Sequence, residues 1–371
     1  MQFIPPANNI VPINVSLICG EEWIHNHDVE ADDDDEDFRG PITFHIQLPS
    51  QDSNNNQLRL KFSCRDKSSG VLLKSEPSVS KEDTFDGPCD PFFFEKGFYL
   101  AAKTGFQVWP GSRLMVEAFT CHNDGEGRSY SNYPLLVGGM TNVLEVGAGI
   151  GVVGSCLAAA GANVLITDLK VLVQHGIGPN LRRNGRRAVA EAAGKEVDHD
   201  HHGVQQCPEF LRDASSLSLS DDSVAFDAVR LGEGWANAAV LDWFKPVKEQ
   251  LPTSVTTAID VIVACDCIFL RKLADPLLST IATIFEHSKA RNPIFFFTFQ
   301  RRNMLGLFIQ LEELLGRIEE RGWTVECVAW RNVEIEDDGC HENYLFRVTP
   351  ASRSDSLLSV GGAEFVEEKN E

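Results

Sequence analysis

The chain has 371 residues, 43% of them hydrophobic, and a formal net charge of -21. That length holds one large domain with additions, or two domains, with enough apolar residues for a core. The charge argues against a nucleic-acid backbone as the main partner, and no apolar run approaches the length of a membrane span.

The N-terminus, Met1 to Pro6, has neither a basic region nor an apolar signal core, so no secretion is expected. The 10 cysteines form no CxxC pair and read as free thiols in a reducing compartment. Residues 1–93 form a variable region. In it, Thr43–Leu48 and Gln57–Ser63 alternate like strands. The acidic run Asp32–Asp37 lacks the spaced Gly and distal Glu of a calcium loop and reads as a solvated segment. From residue 94 to residue 350 the chain reads as one α/β unit. Its first helix is expected over Pro110–Phe119, with Pro110 near its start.

The most informative segment is Val143-Leu144-Glu145-Val146-Gly147-Ala148-Gly149-Ile150-Gly151. An apolar strand runs into a glycine loop. A helical stretch follows, Val152–Ala160, closed by Gly161. A second strand, Asn163–Thr167, then ends in Asp168. Strand, Gly loop, helix, strand and acid form the start of a Rossmann-type nucleotide site. Glycines let the backbone approach a ligand, and an acid at the second strand's end can hold ribose hydroxyls. Gly149, Gly151 and Gly154 also satisfy the dinucleotide pattern G-x-G-x-x-G. Glu145 argues against a dinucleotide, because its carboxylate would repel a pyrophosphate. S-adenosylmethionine has no phosphate and carries a cationic sulfonium, which Glu145 favours directly or through the loop.

A helix is expected over Arg182–Ala193, and polar Glu196–Ser223 reads as an insertion, the α/β pattern being interrupted near residues 185–225. The cluster Asp198-His199-Asp200-His201-His202 resembles a metal site but has no coherent ligand spacing, and no metal is expected. Ala239–Asp242 reads as a third strand or its exit, followed by Trp243, whose indole can stack on adenine. Trp235 is the alternative for that role. Val261–Ala264 is a buried strand ending at Asp266, and alternation would put Cys265 and Cys267 on one face. A helix is expected over Leu273–His287. Ile294–Phe299 reads as a central parallel strand, and a second helix is expected over Met304–Arg321, closed by Gly322. Thr324–Arg331 and Asn343–Val348 read as a final antiparallel pair. Residues 351–371 are rich in Ser and Glu and read as a disordered tail. Ligands of open α/β sheets sit outside the strands' C-terminal ends, so Glu145, Gly147, Asp168 and Asp266 are expected to converge.

Six stretches occur in a telling order: Gly105–Pro110, Val143–Gly151, Ile166–Leu169, Asn180–Asn184, Leu241–Trp243 and Ala264–Phe269. This order resembles the seven-β-strand protein-lysine methyltransferase family, over residues 94–350. The resemblance implies a Rossmann-like seven-strand sheet with helices on both faces, beside a β-containing N-terminal region. It implies S-adenosylmethionine as cofactor. Trp109 would pack near its methionine portion, and Gly147, Ala148, Gly149 and Gly151 would form its loop. Asp168 would hold the ribose, Trp243 would meet the adenine, and Cys265 would meet the cofactor through its backbone. Asp266 and Phe269 would occupy the D-x-x-Y motif beside the methyl acceptor, with Phe269 lacking the usual Tyr hydroxyl. The implied substrate is a lysine-presenting protein, the default compartment is the cytoplasm, and the nucleus is left open. A small-molecule N-methyltransferase and a catalytically weak methyltransferase-like binding protein are the alternative readings. A dehydrogenase is disfavoured by Glu145 and the later motifs.

Overall fold

The computed structural model describes residues 41–47, 57–63, 104–120, 141–193, 206–215, 226–290, 292–301, 306–335 and 339–351. The acidic run, the histidine cluster and most of the C-terminal tail lie outside the described residues. Among the described residues, no helix is long and apolar enough to cross a membrane.

In chain order the elements are β1 (Pro41–Gln47), β2 (Gln57–Ser63), α1 (Pro110–Thr120), β3 (Asn142–Val146), α2 (Val152–Ala159) and β4 (Asn163–Asp168). Next come α3 (Lys170–Leu172), a π-helical turn over Val173–Ile177, α4 (Gly178–Ala193), α5 (Glu209–Ser215), β5 (Val229–Leu231) and β6 (Gly234–Val240). The last are α6 (Val247–Gln250), α7 (Thr253–Ala258), β7 (Val261–Cys265), α8 (Arg271–His287), β8 (Ile294–Gln300), α9 (Leu311–Glu319), β9 (Thr324–Ile335) and β10 (Gly339–Thr349).

One eight-stranded sheet has the order β5-β6-β4-β3-β7-β8-β10-β9. Strands β6, β4, β3, β7 and β8 run parallel, β10 runs antiparallel to both β8 and β9, and β5 runs antiparallel to β6. The parallel strands β3, β4 and β7 are buried almost throughout, as strands covered on both faces must be. Two apolar layers cover the sheet. One holds α1, α2, the π turn and the start of α4, with Leu60 and Phe62 of β2. The other holds α5 to α9. The expected architecture of helices on both faces is present, and the expected seven strands carry an eighth, β5, at the edge. The N-terminal pair is present as an antiparallel hairpin, β1 with β2.

The structure departs from the sequence reading at five places. The helix expected from Arg182 begins earlier, because the turns from Lys170 onward are also helical. Gly178 and Pro179 mask that in the sequence. Yet a Cβ at Gly178 would fall 1.9 Å from the Phe226 ring, so this glycine serves packing. Strand β6 starts at Gly234, before the expected Ala239, because Gly232 and Gly234 press against carbonyls of Ala159, Ala162 and Ala158. Strand β8 is not central to a parallel set, since it pairs parallel with β7 and antiparallel with β10. The helix expected from Met304 starts only at Leu311. The residues just before it are extended: Ile309 N–H donates to Phe269 O at 3.0 Å, and Arg271 N–H donates to Leu307 O at 2.9 Å. Finally, Cys265 and Cys267 do not share a face. Asp266 has φ 49, which breaks the alternation, and the two thiols join opposite layers.

Candidate functional site

The C-terminal ends of β3, β4, β6 and β7 form one edge, and the expected acids meet there. Strand β3 ends in Val146, and its glycine loop turns through Gly147 (φ 67), Gly149 (φ 61) and Gly151 (φ 80). These left-handed conformations favour glycine. Space demands it as well. A Cβ on Gly147 would lie 2.9 Å from both Trp243 and Cys267, and one on Gly149 would lie 2.6 Å from Gly105 O. Gly151 is the N-cap of α2. Ala148 N–H donates to Thr167 O at 3.1 Å, and Asn180 Nδ2 donates to Ile150 O at 3.2 Å. The loop is thus tied to β4 and to α4.

Three carboxylates are fixed by backbone donors. Glu145 reaches the loop from beneath: its Oε2 accepts Gly154 N–H at 2.8 Å, inside the first turn of α2. It takes the capping role that Gly151, without a side chain, cannot. Asp168 accepts Gly149 N–H at 2.7 Å on one oxygen and Leu169 N–H at 2.6 Å on the other. Asp266 accepts Gly111 N–H at 2.6 Å, in the first turn of α1, and the Thr298 hydroxyl at 3.3 Å. Asp266 N–H in turn donates to Thr298 Oγ1 at 3.1 Å. The Gly111, Asp266 and Thr298 contact is tight, since a Cβ on Gly111 would sit 2.2 Å from Thr298 Oγ1.

Burial governs the electrostatics of this edge. Desolvation pushes the Glu145 carboxyl up to about 8, against the Gly154 hydrogen bond, and the Asp168 charge adds to the rise. Desolvation likewise pushes Asp168 up to about 6, opposed by the Gly149 and Leu169 bonds. Burial and the surrounding acids hold the Cys265 and Cys267 thiols well above their usual range. Both stay protonated at neutral pH, so neither is an activated nucleophile.

The two tryptophans separate cleanly. Trp243 follows the C-terminal end of β6 and touches the space over Gly147. Trp235 pairs with Asn163 at the opposite, N-terminal end of β6 and β4, remote from the glycine loop. Trp109 is half-buried just before α1, with its indole N–H donating to Thr104 O at 3.0 Å. Phe106 packs near the loop through Gly176. Phe269 is half-buried, and its carbonyl accepts Ile309 N–H. Cys265 is buried beneath this edge.

Glu145, Gly147, Ala148, Gly149, Gly151, Asp168, Trp243, Cys265 and Asp266 therefore gather along one sheet edge, with Trp109 in the segment that enters α1. Sequence reasoning missed Thr298, Gly111 and Cys267 as parts of this edge. Thr298 sits inside an apolar run, and only its pairing with Asp266 shows its part. Among the described residues, no group of three or more His, Cys, Asp or Glu is arranged to hold a metal.

A search of the curated proteins finds no match. Solved structures that resemble the chain include magnesium protoporphyrin IX methyltransferase from Synechocystis with bound S-adenosylhomocysteine. It is 11% identical, with 70% of this chain and 97% of that chain covered and a TM-score of 0.36. A SAM-dependent methyltransferase from Methanosarcina mazei is 13% identical, covering 59% and 97%, with a TM-score of 0.31. A glycopeptide N-methyltransferase complexed with sinefungin is 10% identical, covering 57% and 80%, with a TM-score of 0.33. The family model described as lysine methyltransferase matches residues 99–209 and 213–313, which span the first helix, the glycine loop, Asp168, Trp243 and Asp266. The chain belongs to the lysine methyltransferase family, and its methyl donor is S-adenosylmethionine.

Proposed function

We propose that the chain methylates the side-chain amine of lysine in a protein substrate. The observation that carries this reading is the family match across the whole ligand-bearing edge.

The residues present fit the cofactor. Gly147 and Gly149 take left-handed φ and have no room for a Cβ, which would meet Trp243, Cys267 and Gly105, so the loop presents bare backbone to a ligand. Asp168, raised only to about 6, is ionised at neutral pH and suits hydroxyl donors and a cation, whereas Glu145, raised to about 8, is largely protonated there and acts through its bond to the loop. In this reading Trp109 packs near the methionine portion, while Gly147, Ala148 and Gly149 line the ligand and Gly151 shapes its loop. Asp168 accepts from the ribose hydroxyls with lone pairs left over from its two backbone bonds. Trp243 meets the adenine, Cys265 meets the ligand through its backbone, and Glu145 acts through the loop.

When bound, S-adenosylmethionine supplies an electrophilic methyl group on a positively charged sulfur. The chain's task is to align a neutral amine with that methyl, and such alignment is worth about 7–11 kcal/mol. A free lysine has a pKa of about 10.4, so its neutral form must be favoured by desolvation and by the nearby sulfonium charge. Asp266 stands beside the acceptor in this reading, with its carboxylate steadied by Gly111 and Thr298. Phe269 forms an apolar wall. Its missing hydroxyl supports a second reading, a methyltransferase-like protein with weak catalysis.

The net charge of -21 favours a basic protein surface as substrate. The test is transfer of isotope-labelled methyl from S-adenosylmethionine into a cell extract, with labelled proteins hydrolysed to amino acids. Label recovered as methyllysine supports the proposal. Label recovered only in small molecules supports a small-molecule enzyme instead.

A further inference from the structure

Two facing amides at the end of β8 are left open. Gln300 is the last residue of β8, and Asn343 of β10 stands directly opposite it in antiparallel register. Their exposures are 7% and 0%. Gln300 Oε1 and both Asn343 side-chain atoms, Oδ1 and Nδ2, have no hydrogen-bond partner. Buried polar groups are bonded as a rule, so an open pair calls for an explanation. Its place supplies one. Gln300 shares a face of β8 with Thr298, about 6.6 Å along the strand, and Thr298 holds Asp266. Strand β8 also lies beside β7, so Gln300 is on the strand next to the Asp266–Phe269 motif and Asn343 is on the strand after it.

We propose that Gln300 and Asn343 seat the acceptor's primary amine. The proposal rests on the lysine-methylating reading above. Two amide oxygens match the two N–H bonds of a neutral amine and leave its lone pair free for the methyl group. That lone pair forms the new C–N bond while the C–S bond breaks and its electrons stay on sulfur. The methylated ammonium then loses its extra proton to solvent, and the amides take none. Neutral oxygens suit this task better than a carboxylate, which would hold the ammonium form and raise its pKa. Asp266 is in any case engaged with Gly111 and Thr298. Asn343 Nδ2, a donor, takes a water or a substrate carbonyl.

The test uses two analogues of the cofactor in which nitrogen replaces the sulfonium sulfur. One bears an aminoalkyl arm on that nitrogen, and the other bears an alkyl arm of equal length. Both are titrated by calorimetry into the full chain. The aminoalkyl analogue is expected to bind about tenfold more tightly. Asn343→Leu should abolish that advantage while leaving the alkyl analogue bound as in the wild type. Gln300→Met should do the same, and it keeps the test open if the buried Asn343→Leu strand misfolds. Equal affinity of the two analogues for the wild type overturns the amine seat and leaves the methyltransferase reading standing, as does an advantage that survives both substitutions. Failure of the folded wild type to bind either analogue overturns both.

Discussion

Glu145, Asp168 and Asp266 end three adjacent parallel strands, and each is held by backbone N–H groups of the segment it must position. This arrangement has a pH signature. Glu145 has an ordinary value of 4.5 and is raised to about 8 in the fold. Asp168 goes from 3.8 to about 6. Raised acids bind more protons folded than unfolded, so their contribution is present below the ordinary values and is lost as pH rises through the folded ones. The unfolding temperature of the ligand-free protein should therefore fall between about pH 5 and about pH 8.5. Glu145→Gln keeps an acceptor for Gly154, and should flatten that fall. An unchanged slope would remove Glu145 as its source. Gly149→Ala should cost at least about 1–2 kcal/mol, because it combines a left-handed φ with a clash against Gly105 O. Denaturant unfolding measures that loss.

At the scale of elements, the N-terminal hairpin is docked by apolar packing of Leu60 and Phe62 and by the hydrogen bonds of one side chain. Asn184 Oδ1 accepts Lys61 N–H at 2.8 Å, and its Nδ2 donates to Lys61 O at 3.0 Å and to Asn180 O at 2.9 Å. The amide stands in for a neighbouring strand along β2, an edge that pairs with no other strand among the described residues. The same α4 helix holds the glycine loop through Asn180. Asn184→Leu should cost about 1–3 kcal/mol and speed hydrogen exchange at Lys61 N–H. Unchanged exchange would mean that apolar packing of Leu60 and Phe62 alone docks the hairpin. Strands with strong period and apolar content were legible in the sequence: β2, β3, β4 and β7 fall where alternation or continuous apolar runs put them. The failures have physical causes. Gly178 and Pro179 look like breakers, yet Gly178 makes room for Phe226, and Pro179 follows the π-helical turn Val173–Ile177 inside the continuous helical stretch from Lys170. Residues 306–310 carry helical periodicity, but Leu307 and Ile309 take backbone partners in the Phe269–Arg271 segment. Tertiary pairing there outweighs local preference.

For the whole molecule, sheet topology turns distant residues into one edge. Glu145, Asp168 and Asp266 are far apart in sequence, and the order β4-β3-β7 makes them neighbours. That convergence was legible once the strands were assigned, because parallel sheets present their C-terminal ends together. The commitments of the acids were not legible, since Gly111 and Thr298 bear no motif of their own. The charge of -21 acts at this scale too. Attraction of a basic substrate should weaken with salt, so KM for such a protein should rise as ionic strength goes from about 0.01 M to 0.15 M. A KM independent of salt would argue for recognition by apolar contact.

The measurement that bears most directly on the cofactor site is calorimetric titration of the full chain with S-adenosylhomocysteine, beside Asp168→Ala. The account predicts micromolar binding by the wild type, weakened at least about tenfold in the variant, which loses a charged acceptor. Absence of binding by well-folded wild type, or equal binding by the Asp168→Ala chain, would contradict the placing of the cofactor at this edge.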